Sequence, residues 1–407
     1  VSLLSLLPYS DQLRTSVFFT RKFGLGGEQF DVLGHYLSGK LFPEYDDQEH
    51  LQAAMEWLCQ AQDKCGGNGV SNVFYLKTGW GVAYPETSGY IMATYLAYAD
   101  HSGDSKYVER ARGIGDWEIS IQAHNGGVLS STTLPQTRVF NTGQVVLGWC
   151  ALYEKTGEEK YLHAAARAGD YLISEQEHDG AWRKDTYCGA RTYHARVDWS
   201  LLRLAQLTND KRYAETARKN LKWVVACQNQ QGWFRECGFE NHLPVMHVIV
   251  YTLRGLLECH AINHADIADM DLLDVVMRGA DPLCTAIEQY PVGGIKGMVP
   301  TSFDENWQSS DSDSCLTGNA QMSCFLYRLS HMTGVPRYKD LADSIVSATK
   351  RTQLVRTGIL PLKGAIAGTY PLSHGYVPNG FPNWATKFFA DALLTKMNFD
   401  RKLAIPA

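Results

Sequence analysis

The sequence predicts an all-α protein, an (α/α)6 toroid or six-hairpin barrel, and three observations predict it. The first is a Gln-then-Gly signature that recurs every 50 to 60 residues: Trp57, Gln62, Gly66-Gly67; Trp117, Gln122, Gly126-Gly127; Tyr171, Gln176, Gly180; Trp223, Gln228, Gly232; and a weaker copy at Lys350, Gln353, Gly358. Recurrence at that period marks stacked units that cannot bury their apolar faces alone. The second is an interleaved turn signature at Ser102-Gly103-Asp104, Thr156-Gly157, Thr208-Asn209-Asp210 and Thr333-Gly334. There a left-handed Gly or Asn ends one helix and an acidic residue opens the next. The third is helical spacing of apolar residues, as in Leu152, Tyr153, Ala164, Ala168 and Leu172, with few alternating runs long enough for a core strand.

The two signatures divide the helices into two sets. The first set, following the long loops, covers residues 86–100, 141–155, 195–207, 245–262, 317–332 and 383–397. The second, ending at the Gln-Gly signature, covers 48–62, 105–122, 159–176, 211–228, 270–289 and 337–353. The repeats run on without a Pro-, Ser- or charge-rich linker, so residues 48–407 form one domain and residues 1–47 an N-terminal arm packed on it.

Composition bounds the function classes. With 45% hydrophobic and 20% charged residues the 407-residue chain can bury a large core, and a net charge of -5 gives no electrostatic reason to expect nucleic acid or an acidic membrane. No apolar run approaches the roughly 18 residues of a membrane span. The apolar start at Val1 lacks a basic n-region and reads as part of the arm or as a processed terminus. Ten scattered cysteines without a Cys-x-x-Cys pair, several on apolar helix faces such as Cys150, Cys227, Cys259 and Cys324, suit a reduced, cytoplasmic protein. Cys237, His242 and His247, like His260 and His264, complete no four-ligand zinc pattern, so neither a metal nor another cofactor is expected.

Polar residues that do not serve helix packing gather at the N-terminal ends of the first-set helices. They are Tyr84 and Glu86; Asn141; Tyr193, His194, Arg196 and Asp198; His247 and Tyr251; Asn319; and Asn383 with Lys387. With that set as the inner ring, six N-termini open on one mouth, overhung by Asp304, Glu305 and Trp307. Each residue also has a structural reading. Glu86 after Pro85 opens a helix against its dipole, Asp198 pairs with Arg196, and Asn141 and Asn319 are caps. His247 and Tyr251, four apart, share one helix face that is either core or cavity.

Two chemistries draw on this inventory. Glycoside hydrolysis needs two carboxyl groups, one protonated, and Glu86, Asp198, Asp304 and Glu305 are the candidates. Proton abstraction beside a carboxylate needs a cation or amides to hold that carboxylate, and His or Tyr to move protons. Arg196 and Asn319 would hold it, and Tyr193, His194, His247 and Tyr251 would carry protons, which makes the second inventory the fuller one.

Several strings then add a resemblance. Gly79 to Tyr90, Phe140 to Gln144, Phe303 to Trp307, Leu316 to Gln321 and Pro382 to Phe388 together resemble a family of six-hairpin toroid proteins associated with bacterial exopolysaccharide biosynthesis, from about Trp57 onward. More distantly the toroid is similar to unsaturated-uronide hydrolases, uronate lyases and glucuronyl C5-epimerases. In such lyases Asn, Arg, His and Tyr act together, and Asn319, Arg196, His247 and Tyr251 match them in type only. The resemblance implies a carbohydrate-active enzyme on an acidic polysaccharide or oligosaccharide, acting at uronate C5 as epimerase or lyase, with glycoside hydrolysis as the alternative. In that scheme Tyr84, Glu86, Asn141, Asp304, Glu305 and Asn383 position hydroxyls, and Trp80 and Trp307 stack on sugar rings. A non-catalytic glycan-binding toroid is a further alternative. So is a terpene cyclase-like protein, suggested by Gln228 and Gly232-Trp233, although Asp311-Ser312-Asp313 lacks the paired acid of such cyclases.

Overall fold

The structure, a computed structural model, describes residues 34, 39–239, 242–401 and 403. Among these residues all twelve expected helices are present. They are α1 (Asp47–Asp63), α2 (Pro85–Ser102), α3 (Lys106–Ile121), α4 (Val139–Thr156), α5 (Glu159–Glu175), α6 (Ala195–Thr208), α7 (Lys211–Ala226), α8 (Met246–Ile262), α9 (Leu272–Gln289), α10 (Leu316–Thr333), α11 (Pro336–Lys350) and α12 (Asn383–Asp400). Most of the expected N-terminal arm lies outside the described residues; of its end, Phe42 N–H donates to Arg351 O at 2.7 Å.

The even-numbered helices form the inner ring: each packs on the next, and α12 packs back on α2. Their buried residues run all round, as in α10, where residues 316–330 are continuously buried. The outer helices are amphipathic. In α3 the buried set is Tyr107, Ala111, Ile114, Gly115 and Glu118, a stripe at helical spacing. Left-handed caps end α2, α4, α6 and α10 at Gly103, Gly157, Asn209 and Gly334 as expected, and Asn263 does the same for α8. The sixth hairpin is split. The outer partner of α12 is α1, from the other end of the described chain, and Lys396 of α12 pairs with Asp47 of α1 at 2.8 Å.

The Gln-Gly signature works as a clasp between hairpins. The Gln122 side-chain amide donates to Gly126 O in its own turn and to Ala164 O in the next outer helix, α5. Gln176 repeats this with Gly180 O and Thr216 O of α7, and Gln228 with Gly232 O and Val275 O of α9. Gln62 does so with Gly67 O and Arg110 O of α3. Gln353 closes the circle on His50 O of α1, and its turn partner is Gly364, not the expected Gly358. The fifth joint keeps only the glycine: Gly297 sits where an added Cβ would lie 2.1 Å from Ser344 O of α11. Residues such as Gly232 are required twice over, by φ of +81° and by the approach of Arg278 O.

Short strands tie the loops at the mouth. β1 (Val73–Tyr75) pairs antiparallel with β2 (Gly79–Trp80) and with β7 (Gly380–Pro382), in the register Val73 to Pro382 and Phe74 to Phe381. The loop before α2 is thereby sewn to the loop before α12. The hairpin of β3 (Leu129–Ser131) and β4 (Leu134–Thr137) precedes α4, and β5 (Ser314–Cys315) pairs with β6 (Thr369–Tyr370). None of the ten cysteines is disulfide-bonded.

The clasp predicts graded costs in urea unfolding. Gln228→Ala, which removes two hydrogen bonds to backbone carbonyls, should cost about 1–3 kcal/mol. Gly232→Ala should cost more, about 2–4 kcal/mol, because it adds backbone strain to a clash with backbone rather than with a movable side chain. The reverse order would mean that the glutamine, not the close approach, carries the joint.

Candidate active site

Five of the six inner helices bring residues at or beside their N-terminal ends to one cavity, and α10, expected as the sixth, contributes none to its lining. One cavity of about 230 Å³ is lined by Tyr84, Glu86, Thr87 and Tyr90 of α2 and its approach, Phe140 of α4, Tyr193 just before α6, His247, Val248 and Tyr251 of α8, and Trp384 of α12. Loops add Tyr187, Phe239 and Tyr376. Glu86 is the one carboxyl group among these lining residues.

A hydrogen-bond chain leads away from Glu86. Its Oε2 lies 3.2 Å from the Tyr84 hydroxyl, which lies 2.7 Å from the Tyr187 hydroxyl, which lies 3.0 Å from Asn141 Oδ1. The Asn141 amide is oriented by its Nδ2 donating to Leu129 O, so Oδ1 faces Tyr187 as an acceptor. The Tyr84 hydroxyl donates to Glu86 Oε2 and Tyr187 donates to Asn141 Oδ1, while between the two hydroxyls either oxygen can donate. Burial raises the Glu86 pKa to about 7 against the opposing effects of Tyr84 and Arg196, so the carboxyl is shared between its two forms near neutrality. The groups around it are the hydroxyls of Tyr84, Tyr90, Tyr187, Tyr193, Tyr251 and Tyr376, with Arg196 as the cation in reach.

His247 is held between aromatic rings. Tyr376 lies 4.5 Å away, and Tyr251 meets it edge-on at 5.6 Å. Burial lowers its pKa to about 3, so the imidazole is neutral at ordinary pH. Its Nδ1 lies 3.9 Å from Cys315 Sγ, and among the described residues Nε2 has no protein partner.

The other expected site residues separate into three groups. Arg196 lies one layer deeper, its guanidinium carbon 4.9 Å from the Tyr251 ring centroid and its Nε donating to Gln144 Oε1 at 2.8 Å. The expected Arg196–Asp198 pair does not form. Asp198 is fully buried with both oxygens lacking a hydrogen-bond partner among the described residues, and burial pushes its pKa well up. His194 is also buried, and neutral, set against Trp182 and Tyr193.

A second group is structural. Asn319 accepts from Ser314 Oγ at 3.2 Å and donates toward Met298 Sδ, away from the cavity. Asn383 donates to Ser71 O and Thr87 Oγ1, fixing the α12 and α2 starts together. Asn141 reaches the site only through Tyr187. The third group is outside the cavity lining. Trp80 packs 5.2 Å from Trp57 and 5.1 Å from Phe74. Trp307 is buried against Trp233, its indole N–H donating to Gln231 O. Asp304 accepts from the backbone of Asn306 and Gln308, and Glu305 is exposed.

Sequence reading missed Tyr90, Phe140, Tyr187, Phe239, Tyr376 and Trp384. Tyr90 carried a signal, lying four residues after Glu86 as Tyr251 follows His247. Phe140 and Trp384 adjoin residues already singled out. Tyr187, Phe239 and Tyr376 come from loops, where no periodicity points inward.

With this geometry in hand, comparison with known proteins is informative about fold. A family model for the GH127 β-L-arabinofuranosidase catalytic domain matches residues 86–249. No curated protein sequence matches the chain. Among solved structures, an unsaturated glucuronyl hydrolase specific for heparin is similar with a TM-score of 0.69 at 14% identity, covering 89% of this chain and 99% of that one. The unsaturated glucuronyl hydrolase of Bacillus sp. GL1, described as responsible for glycosaminoglycan degradation, gives 0.68 at 15%, covering 88% and 98%. A polysaccharide lyase gives 0.64 at 13%, covering 88% and 99%. The chain is an (α/α)6 toroid. Among the described residues no helix is long and apolar enough to cross a membrane.

Two measurements test the proton chain. The carboxyl of Glu86 titrates near 4.5 in the unfolded chain and near 7 in the folded one, so between these values the folded state holds the extra proton. Its contribution is therefore full below pH 4.5 and lost as pH rises through 7; the stability difference between the native protein and Glu86→Gln should fall by about 2 kcal/mol from pH 5 to 7. In Tyr84→Phe the carboxylate loses its hydrogen-bond donor, so the Glu86 pKa, followed by its carboxyl infrared band, should rise; an unchanged or lowered value would refute the contact.

Proposed function

We propose that this chain is a carbohydrate-active enzyme on a uronate-bearing oligosaccharide or polysaccharide, with chemistry of the proton-abstraction class. The observation that carries the reading is the pairing in one cavity of a carboxyl with a pKa raised to about 7, Glu86, and a neutral imidazole, His247. Aromatic walls suit sugar faces. The names of the similar structures, glucuronyl hydrolases and a polysaccharide lyase, support a uronate-type substrate.

In this scheme the uronate lies across the mouth with its carboxylate toward the Tyr251 side, where Arg196 behind the ring favours negative charge. His247 Nε2 takes the proton from C5, and the electron pair moves into the carboxylate as an enediolate. The arriving carboxylate itself raises the basicity of the imidazole. For elimination, the enediolate collapses to a C4=C5 double bond, the C4–O bond breaks, and Glu86 gives its proton to the leaving oxygen. Return of a proton to the opposite face of C5, from Tyr251 or Tyr193, would instead give the epimer.

Hydrolysis is the second reading, favoured by the family-model match over residues 86–249. It would have to use Glu86 as a single acid, since none of Asp198, Asp304 and Glu305 lines the cavity to complete a carboxyl pair.

The product distinguishes the readings. With uronate oligosaccharides a lyase gives ultraviolet absorbance of an unsaturated uronide, an epimerase puts solvent deuterium at C5, and a hydrolase gives new reducing ends without either. Glu86→Gln and His247→Gln should each lower turnover by about 10²–10⁴-fold. Full turnover in a His247→Gln, Tyr251→Phe double variant would sink the proton-abstraction scheme.

A further inference from the structure

Below the mouth, across Tyr90, a second cavity lies on the toroid axis. Its volume is about 90 Å³, and Arg196, Arg254, Lys387 and Asp391 face it, with Thr94, Gln321, Trp199 and Phe388 among its walls. Most of these charges are matched. Asp391 accepts from Lys387 at 2.5 Å and from Thr94 at 2.7 Å. Glu258, behind the wall, pairs with Arg254 at 2.5 Å and with Arg328 at 2.6 Å. That leaves four cations against two carboxylates.

Arg196 is the unmatched group. It is 4% exposed and pairs with no carboxylate among the described residues, and its one protein hydrogen bond is from Nε to Gln144. Aromatic rings cover the faces of the guanidinium, Tyr251 at 4.9 Å, Trp199 at 5.2 Å and Phe388 at 6.0 Å. Among the described residues the terminal amino groups have no protein acceptor. Arginine keeps its charge in proteins, and a buried charge without a partner is strongly unfavourable. Even with Lys387 neutral, one positive charge stays unanswered. The space admits a small anion together with water.

We propose that this axial cavity is a binding site for one small free monovalent anion, of the halide or formate class, held by the terminal amino groups of Arg196 with Arg254 and Lys387 beside it. The site shares Arg196 with the scheme proposed for the mouth but does not rest on that scheme, because its test reads anion binding alone.

The test reads binding, not turnover. Protein dialysed into a bulky sulfonate buffer is titrated with bromide or formate at constant ionic strength, and Tm is followed. A saturable rise of about 2–3 °C is expected at 100 times the dissociation constant. Arg196→Met should abolish that rise, and bromide should appear by anomalous diffraction against Arg196 in the native protein, a measurement that does not depend on the variant folding. No saturable response, or bromide on the outer surface alone, would overturn the proposal. Displacement of the bound bromide by glucuronate would also overturn it, by giving the site to a substrate carboxylate.

Discussion

Everything at the mouth depends on one repeated contact, the glutamine amide that bonds its own turn and the backbone of the next outer helix. Helix pairs stacked through side chains alone can slide or splay, because hydrophobic contact is non-directional. A two-acceptor amide against backbone carbonyls has a fixed length and direction. At five joints it sets the spacing of neighbouring hairpins, and at the fifth hairpin Gly297 sets it by close approach alone. The inner helices inherit that spacing, and so the N-termini at the mouth stay in register.

This explains which parts of the molecule were legible in the sequence. Helix ends are written locally, as Gly157 or Asn209 at a left-handed cap, and the clasp recurs, so the toroid and its inner ring could be read directly. The ring placed Glu86, His247 and Tyr251 together because each begins an inner helix. Partner choice was not legible. Asn319 and Asn383 look like Asn141 in sequence, yet they face strands and loops, while Asn141 is joined to the cavity by Tyr187, a residue 46 positions away. Arg196 and Asp198 are two residues apart and so face different directions on α6, which is why they do not pair. Gly358 was a reasonable partner for Gln353 by spacing, but the loop is longer than in other repeats and Gly364 meets the contact.

The axis is graded in polarity. At the mouth, burial among aromatic walls raises the Glu86 pKa to about 7 and keeps His247 neutral. One layer down, cations predominate over carboxylates and the rings turn their faces to Arg196. A negative charge arriving at the mouth thus meets the proton carriers first and a positive potential behind them. The same low dielectric that makes a lone charge costly makes that potential long-ranged along the axis.

The split hairpin bears on how the molecule is made. Five hairpins are local in the chain, but α12 is the last of the described helices, and it brings Trp384, Lys387, Phe388 and Asp391 to the two cavities. It packs between α10 and α2 and against α1, and so closes the ring. The contacts that complete both cavities are thus among the most distant in sequence, a topology whose loop closure is entropically the costliest to reach.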